Sequence, residues 1–162
     1  VEADQSLDFL NPKIKNSMPN PFLLKSMDEA VKLIIKHIKE ETQICIYGDY
    51  DVDGASSTSI LARFLRNFTN NFFIFIPDRI QDGYGPNLKI FEDIASKGVK
   101  LIITVDCGTT SFKPIEYAKS KNIDVVVIDH HQSTETLPIA NAIVNPNRFD
   151  ETSNLTSYVL LV

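Results

Sequence analysis

The sequence lacks several features, and each absence narrows what the chain can be. It has no run of about eighteen apolar residues, so nothing in it reads as a membrane span. No secretory leader is read at its start. It has two cysteines, Cys45 and Cys107, each within or just after an apolar segment. They are expected to be small buried residues rather than a disulfide, which fits a reducing cytoplasm. Basic charge is not in excess: the formal net charge is −5, where a nucleic-acid-binding surface is usually basic. A carboxylate-lined metal site would bias that count, and bound divalent ions would offset much of it. No internal repeat, low-complexity segment or linker interrupts the 162 residues, which suffice for one domain with a normal core. There is no initiator Met, and Leu160-Leu161-Val162 closes the chain on an apolar run. The expectation is one domain over residues 1–162 that is part of a longer protein.

What is present is globular, with 43% hydrophobic and 23% charged residues. Residues 1–25 are expected to be irregular, broken by Pro12, Pro19 and Pro21. Ser26-Met27-Asp28-Glu29 reads as a capping box opening a helix, with Met27, Ala30, Val31, Ile34 and Ile38 as its apolar stripe. A strand over residues 43–47 follows. A helix from about Ala55 is expected to turn Ile60, Leu61, Phe64, Leu65 and Phe68 inward. Further strands are read at residues 72–76, Leu101–Val105, Val125–Ile128 and Ala142–Asn145. Asn87 caps a helix closed by Gly98, and a short helix runs near Pro114–Lys121. Alternating strands and helices, with continuous apolar strands, predict an α/β fold: a parallel sheet of about five strands with helices on both faces.

In such folds ligands bind beyond the carboxyl ends of the strands. Three clusters fall there: Asp49-Tyr50-Asp51-Val52-Asp53-Gly54, Asp106-Cys107-Gly108, and Asp129-His130-His131. So many carboxylates at one edge would repel one another unless cations sat between them. Paired divalent metals of that kind usually cut phosphate esters. The first cluster begins like an EF-hand loop, but a strand precedes it and Ile60 stands where that loop needs Glu. It also resembles the Asp-x-Asp of haloacid dehalogenase-type phosphatases, but Gly54 stands where that motif expects Thr. Histidine is scarce, three in the chain, and two are adjacent after a buried strand. On an extended segment one imidazole could ligate metal while the other faces substrate, with Asp129 orienting an imidazole from behind. His37 is given no role. Arg79 could grip a phosphate, Tyr84 between two glycines could stack on a base, and Thr109, Thr110 and Ser111 could donate to a phosphate or cap the next helix.

The order Asp-Tyr-Asp-Val-Asp-Gly, Val-Asp-Cys-Gly, Asp-His-His resembles the DHH phosphoesterase superfamily. Within it, Asp8-Phe9-Leu10-Asn11-Pro12, Ile46-Tyr47-Gly48, Ile76-Pro77-Asp78-Arg79, Asp82-Gly83-Tyr84-Gly85 and Ala142-Ile143-Val144-Asn145-Pro146 are similar to the single-strand-specific 5′→3′ DNA exonucleases. The resemblance implies two Mn²⁺ or Mg²⁺ ions. Asp51 would serve one and Asp53 the other, with Asp106 bridging and His130 a further ligand. Asp49 would be a ligand or lie just behind one, in the catalytic set with Asp106 and His131, and His131 would stand near the scissile phosphate. It implies two-metal hydrolysis of single-stranded DNA to 5′-mononucleotides in DNA repair and recombination, with a single-strand-binding protein and a helicase as partners. It also implies a later aspartate and a second, DHH-associated domain beyond Val162, so that this stretch alone is expected to be inactive or nearly so. Many members have histidine where this chain has Tyr47, and phenol is a poor ligand for Mn²⁺ or Mg²⁺, so one ion would be held weakly or by more water. A hydrolase of small phosphate substrates and an inactive scaffold of the same fold remain the alternatives.

Overall fold

The computed structural model describes residues 10, 11, 13 and 18–155. Most of the segment expected to be irregular, most of the Asp8–Pro12 motif and the closing apolar run lie outside them. A single 3₁₀ turn at Pro21–Leu23 leads into α1 (Met27–Lys39), β1 (Ile44–Gly48), α2 (Val52–Leu65), β2 (Phe72–Phe75), α3 (Leu88–Ser96), β3 (Leu101–Val105), α4 (Phe112–Ser120), β4 (Asp124–Ile128) and β5 (Ala142–Val144). The five strands form one sheet in the order β2-β1-β3-β4-β5, and every pairing is parallel. The expected α/β fold is therefore the one observed.

The strands are apolar on both sides because both sides are covered. Side chains of β1 and β3 alternate between two cores. Ile44, Ile46, Leu101, Ile103 and Val105 pack under α1 and α2 with Ala30, Leu61 and Leu65. Cys45, Tyr47, Ile102, Val125 and Val127 pack under α3 and α4 with Phe91, Ile94, Ile115 and Ala118. Cys45 and Cys107 are buried free thiols, and burial pushes the Cys45 thiol up to about 12. Among the described residues no helix is long and apolar enough to cross a membrane.

Local signals held at α3, where the Asn87 side chain accepts from Ile90 N at 3.0 Å and Gly98 takes a left-handed φ of 78°. They were overridden at α1. Ser26 occupies the N-cap with a left-handed φ of 63° and makes no capping bond; its hydroxyl accepts instead from Arg148 Nη1 at 3.2 Å. Ser111 likewise stands at the N-cap of α4 without a side-chain cap bond. The helix expected from Ala55 starts at Val52, capped by Asp51, whose carboxylate accepts from Gly54 N at 3.0 Å. On α2 the inward side chains are Leu61 and Leu65, with Ala62, Ser57 and Thr58. Ile60, Phe64 and Phe68 are 47%, 54% and 59% exposed, against the expectation that they face the core.

Candidate metal centre

The register of the sheet builds the site. Gly48 pairs with Val105, and Val105 pairs with Ile128, across three neighbouring strands. Asp49, Asp106 and Asp129 are each the next residue, so they form a row along the carboxyl edge, and each is only 1% exposed. Gly54 lets the start of α2 close on this row, since a Cβ there would lie 2.5 Å from the Asp49 carbonyl oxygen. Three buried carboxylates side by side need donors or cations to remain ionised.

Asp129 has donors. Its oxygens accept from the main-chain N–H groups of Thr109 (3.0 Å), His130 (2.7 Å) and His131 (3.1 Å), and from His131 Nδ1 at 2.7 Å. Burial opposes its charge, yet these bonds hold the carboxyl below its ordinary value. Asp49 accepts one bond, from Tyr50 N at 2.8 Å, and burial raises its carboxyl. Asp106 has no such support. Its φ of 61° is left-handed, and both of its oxygens are buried with no hydrogen-bond partner among the described residues. His130 Nε2 stands 3.5 Å from Oδ1, within ion-pair reach when the imidazole is protonated but beyond good hydrogen-bond distance. Burial, and then the neighbouring Asp51 carboxylate, push Asp106 up to about 7. Asp51 is itself exposed and held low by the Gly54 N–H. Two ionised carboxylates cannot bond to each other, so Asp51 and Asp106 need a proton or a cation between them.

Two groups of ligand atoms result, Asp49/Asp51/Asp106 and Asp106/His130/His131, the atoms of each lying within 4.8 Å of one another. Asp106 belongs to both. With its two orphaned oxygens and the orphaned His130 Nδ1, the set fits hard divalent cations that take oxygen ligands and an imidazole. Asp53, expected among the ligands, lies in neither group. Because α2 begins at Val52, the alternation of an extended segment ends at Asp51, and Asp53 falls in the first helical turn, where its carbonyl accepts from Ser57 Oγ at 2.7 Å. Asp129 is also in neither group, its oxygens being committed to the bonds above.

His131 is held on both sides, by Asp129 at Nδ1 and by the Tyr84 hydroxyl, 3.1 Å from Nε2. Burial opposes its protonation, but Asp129 outweighs this and raises the imidazole above its ordinary value. Tyr84, 57% exposed, meets His131 edge-on with ring centres 5.6 Å apart. A hollow of about 530 Å³ opens beside them, lined by Tyr84, Pro86, Thr110, Ser111, Lys113 and His131 among others. Thr109 is not in that lining. It is 1% exposed, its N–H spent on Asp129 and its hydroxyl accepting from Asn145 Nδ2 at 2.8 Å. Arg79 is exposed, its guanidinium 5.4 Å above the ring of Tyr50 between Asp49 and Asp51. Tyr47 is fully buried and its hydroxyl donates to Gly85 O at 2.9 Å. Sequence reasoning missed Asn145 and Asn147. The Asn145 amide also donates to His131 O at 2.9 Å, and that of Asn147 donates to His130 O, so the pair fixes the main chain of the histidine loop. Asn-Pro-Asn directly after the last strand was the available signal.

Carboxylates and imidazoles gathered at three adjacent strand ends define the class: a parallel α/β domain with a candidate divalent-cation site at its carboxyl edge. The chain belongs to the DHH family: the model for the DHH family, N-terminal domain, matches residues 43–161. Over 129 residues it is 41% identical to the single-stranded-DNA-specific exonuclease RecJ of Bacillus subtilis, a match covering 80% of this chain and 16% of that protein. Over 132 residues it is 42% identical to the RecJ of Haemophilus influenzae, covering 81% and 23%. A crystal structure of exonuclease RecJ bound to manganese matches with a TM-score of 0.73 at 31% identity, over 80% of this chain and 33% of that one. The chain thus spans less than a quarter of the length of these curated relatives.

Proposed function

We propose that this chain is the metal-binding catalytic part of a single-strand-specific DNA exonuclease that hydrolyses phosphodiester bonds from the 5′ end and releases 5′-mononucleotides. The observation that carries the reading is Asp106, a buried carboxylate with both oxygens unpartnered and shared by two ligand groups. Asp49, Asp51 and Asp106 would hold one Mn²⁺ or Mg²⁺, and Asp106 with His130 the other; Asp53 is left as a ligand for the second ion only if the start of α2 adjusts. Such ions supply Lewis acidity and a water of lowered pKa. The chain's own groups do the rest. Asp129 and Tyr84 aim His131, whose imidazole, when protonated, can bond to a phosphoryl oxygen and offset charge in the transition state. Arg79 is exposed and free to bond phosphate oxygens, and Tyr84, 57% exposed, offers its ring for a base to stack on. The relatives' names support single-stranded DNA as substrate. A role in DNA repair and recombination, cytoplasmic location, and work beside a single-strand-binding protein and a helicase belong to the same reading.

The test uses the full-length protein with Mn²⁺ and single-stranded DNA labelled at either end. Mononucleotides released first from the 5′ label are expected, and Asp106→Ala should abolish release. Wild-type turnover in Asp106→Ala would refute the bridging role. A rate that rises as the substrate shortens to dinucleotides or pyrophosphate would favour a small-substrate hydrolase instead. Absence of stoichiometric Mn²⁺ binding by calorimetry would favour an inactive scaffold, against which the retention of Asp49, Asp51, Asp106 and both histidines already argues.

A further inference from the structure

We propose that Tyr47 is a positioning residue for His131, acting through Gly85 and Tyr84. Tyr47 stands where the resemblance expects a histidine beside the metals, but its side chain points into the core under α3. Its ring packs against Phe75 and Phe91, with centroids 5.4 and 5.9 Å away, and it is fully buried. Its one polar atom donates to Gly85 O at 2.9 Å. Gly83 and Gly85 are both left-handed, with φ of 78° and 72°, and apart from their chain neighbours no atom of the described residues lies within 4 Å of where a Cβ would be. These glycines therefore serve the shape of the backbone, not close packing. The Asn87 amide pins the far side of the segment, donating to Asp82 O at 3.1 Å, and the Tyr47 hydroxyl pins the near side. Between the two pins Tyr84 rises with its hydroxyl 3.1 Å from His131 Nε2. Asp129 already occupies Nδ1, so Nε2 is the nitrogen turned to the site's mouth, and its bond to the Tyr84 hydroxyl fixes where the ring points. A buried phenol thus sets the aim of an imidazole at the site's mouth through one carbonyl and one loop.

The kinetic part of the test rests on the hydrolase reading; the spectroscopic part does not. Tyr47→Phe keeps the ring in its stack and removes only the bond to Gly85. With ¹⁵N-labelled histidine the chain gives just three imidazoles to follow. Tyr84→Phe is expected to shift the His131 Nε2 resonance, and Tyr47→Phe to shift it in the same direction by less. His37, bonded to Asp124 at the opposite end of the sheet, should stay put as the internal control. In the active protein kcat should fall roughly tenfold in Tyr84→Phe, the effect of about 1.4 kcal/mol, and by less in Tyr47→Phe, with KM within about twofold in both. Unchanged His131 signals in Tyr47→Phe overturn the proposal, even if that variant is less stable, because packing alone would then explain the residue. Unchanged signals in Tyr84→Phe overturn it as well. A wild-type protein without nuclease activity would remove the functional reading and leave the resonances to decide this one.

Discussion

Asp106 combines a left-handed backbone, two unpartnered oxygens and a carboxylate neighbour, in a position that is 1% exposed. Each is unfavourable in the cation-free chain, and strain of this kind persists where the surroundings or a ligand compensate it. Asparagine has nearly the same shape, tolerates left-handed backbone, carries no charge and brings an amide that can donate to Asp51. Asp106→Asn is therefore expected to raise the melting temperature of the cation-free protein at pH 8, by about 2–4 °C for each kcal/mol recovered. It should also remove the stabilisation that Mn²⁺ gives the wild type. Melting curves with chelator and with Mn²⁺ check both. A variant that melts lower without cation and is still stabilised by Mn²⁺ would show that Asp106 is neither strained nor a ligand.

Helix α2 shows what the sequence could and could not disclose at the scale of an element. The strands were legible because each is a continuous apolar run, and the site clusters because each directly follows one. The inward face of α2 was not. It is made of Gly54, Ser57, Thr58, Leu61, Ala62 and Leu65, and hydropathy assigns three of these to solvent. Small residues are required there because β1 passes so close that a Cβ on Gly48 would fall 2.0 Å from Thr58 Oγ1. The bulky Ile60, Phe64 and Phe68 are displaced to the flank, where Phe64 and Phe68 pack on each other with centroids 5.0 Å apart. Asp53 falls outside both ligand groups for a related reason: a helix beginning three residues earlier than expected changes the period from two to 3.6. Tyr47 read as a substituted ligand only while the side of the strand it faces was unknown. The energetic consequence is checkable by urea denaturation. Leu65→Ala should cost about 2–5 kcal/mol and Phe64→Ala less than about 1 kcal/mol. Equal losses would mean that α2 is rotated from the orientation described here.

At the scale of the whole molecule, the carboxylates that are displaced from their ordinary values among the described residues fall into two sets that pull stability in opposite directions with pH. Asp51, Asp129, Asp150 and Glu151 are held below their ordinary values by hydrogen bonds. Their contribution is present above the unfolded values of 3.8 and 4.5 and is lost as pH falls through the lower folded ones. Asp49 and Asp106 are raised. Between 3.8 and about 7 folded Asp106 keeps a proton that the unfolded chain has released, so raising the pH through that window removes stability, by at most about 1.4 kcal/mol per pH unit. His131, also raised, adds to the trend, since its contribution is complete below 6.5 and is lost as pH rises through its folded value. The cation-free protein should therefore be most stable near the acid end of its range and should weaken from about pH 5 to pH 8. Divalent cations bind the deprotonated groups, so their stabilising effect grows as those protons leave. The gap in melting temperature between Mn²⁺ and chelator is expected to be small at pH 5 and to widen steadily to pH 8. The same experiment on Asp106→Asn should give a flatter cation-free profile and little gap at any pH. A wild-type gap that stays constant across the range would mean that cations bind away from the row of carboxylates, and the site assigned here would fall with it.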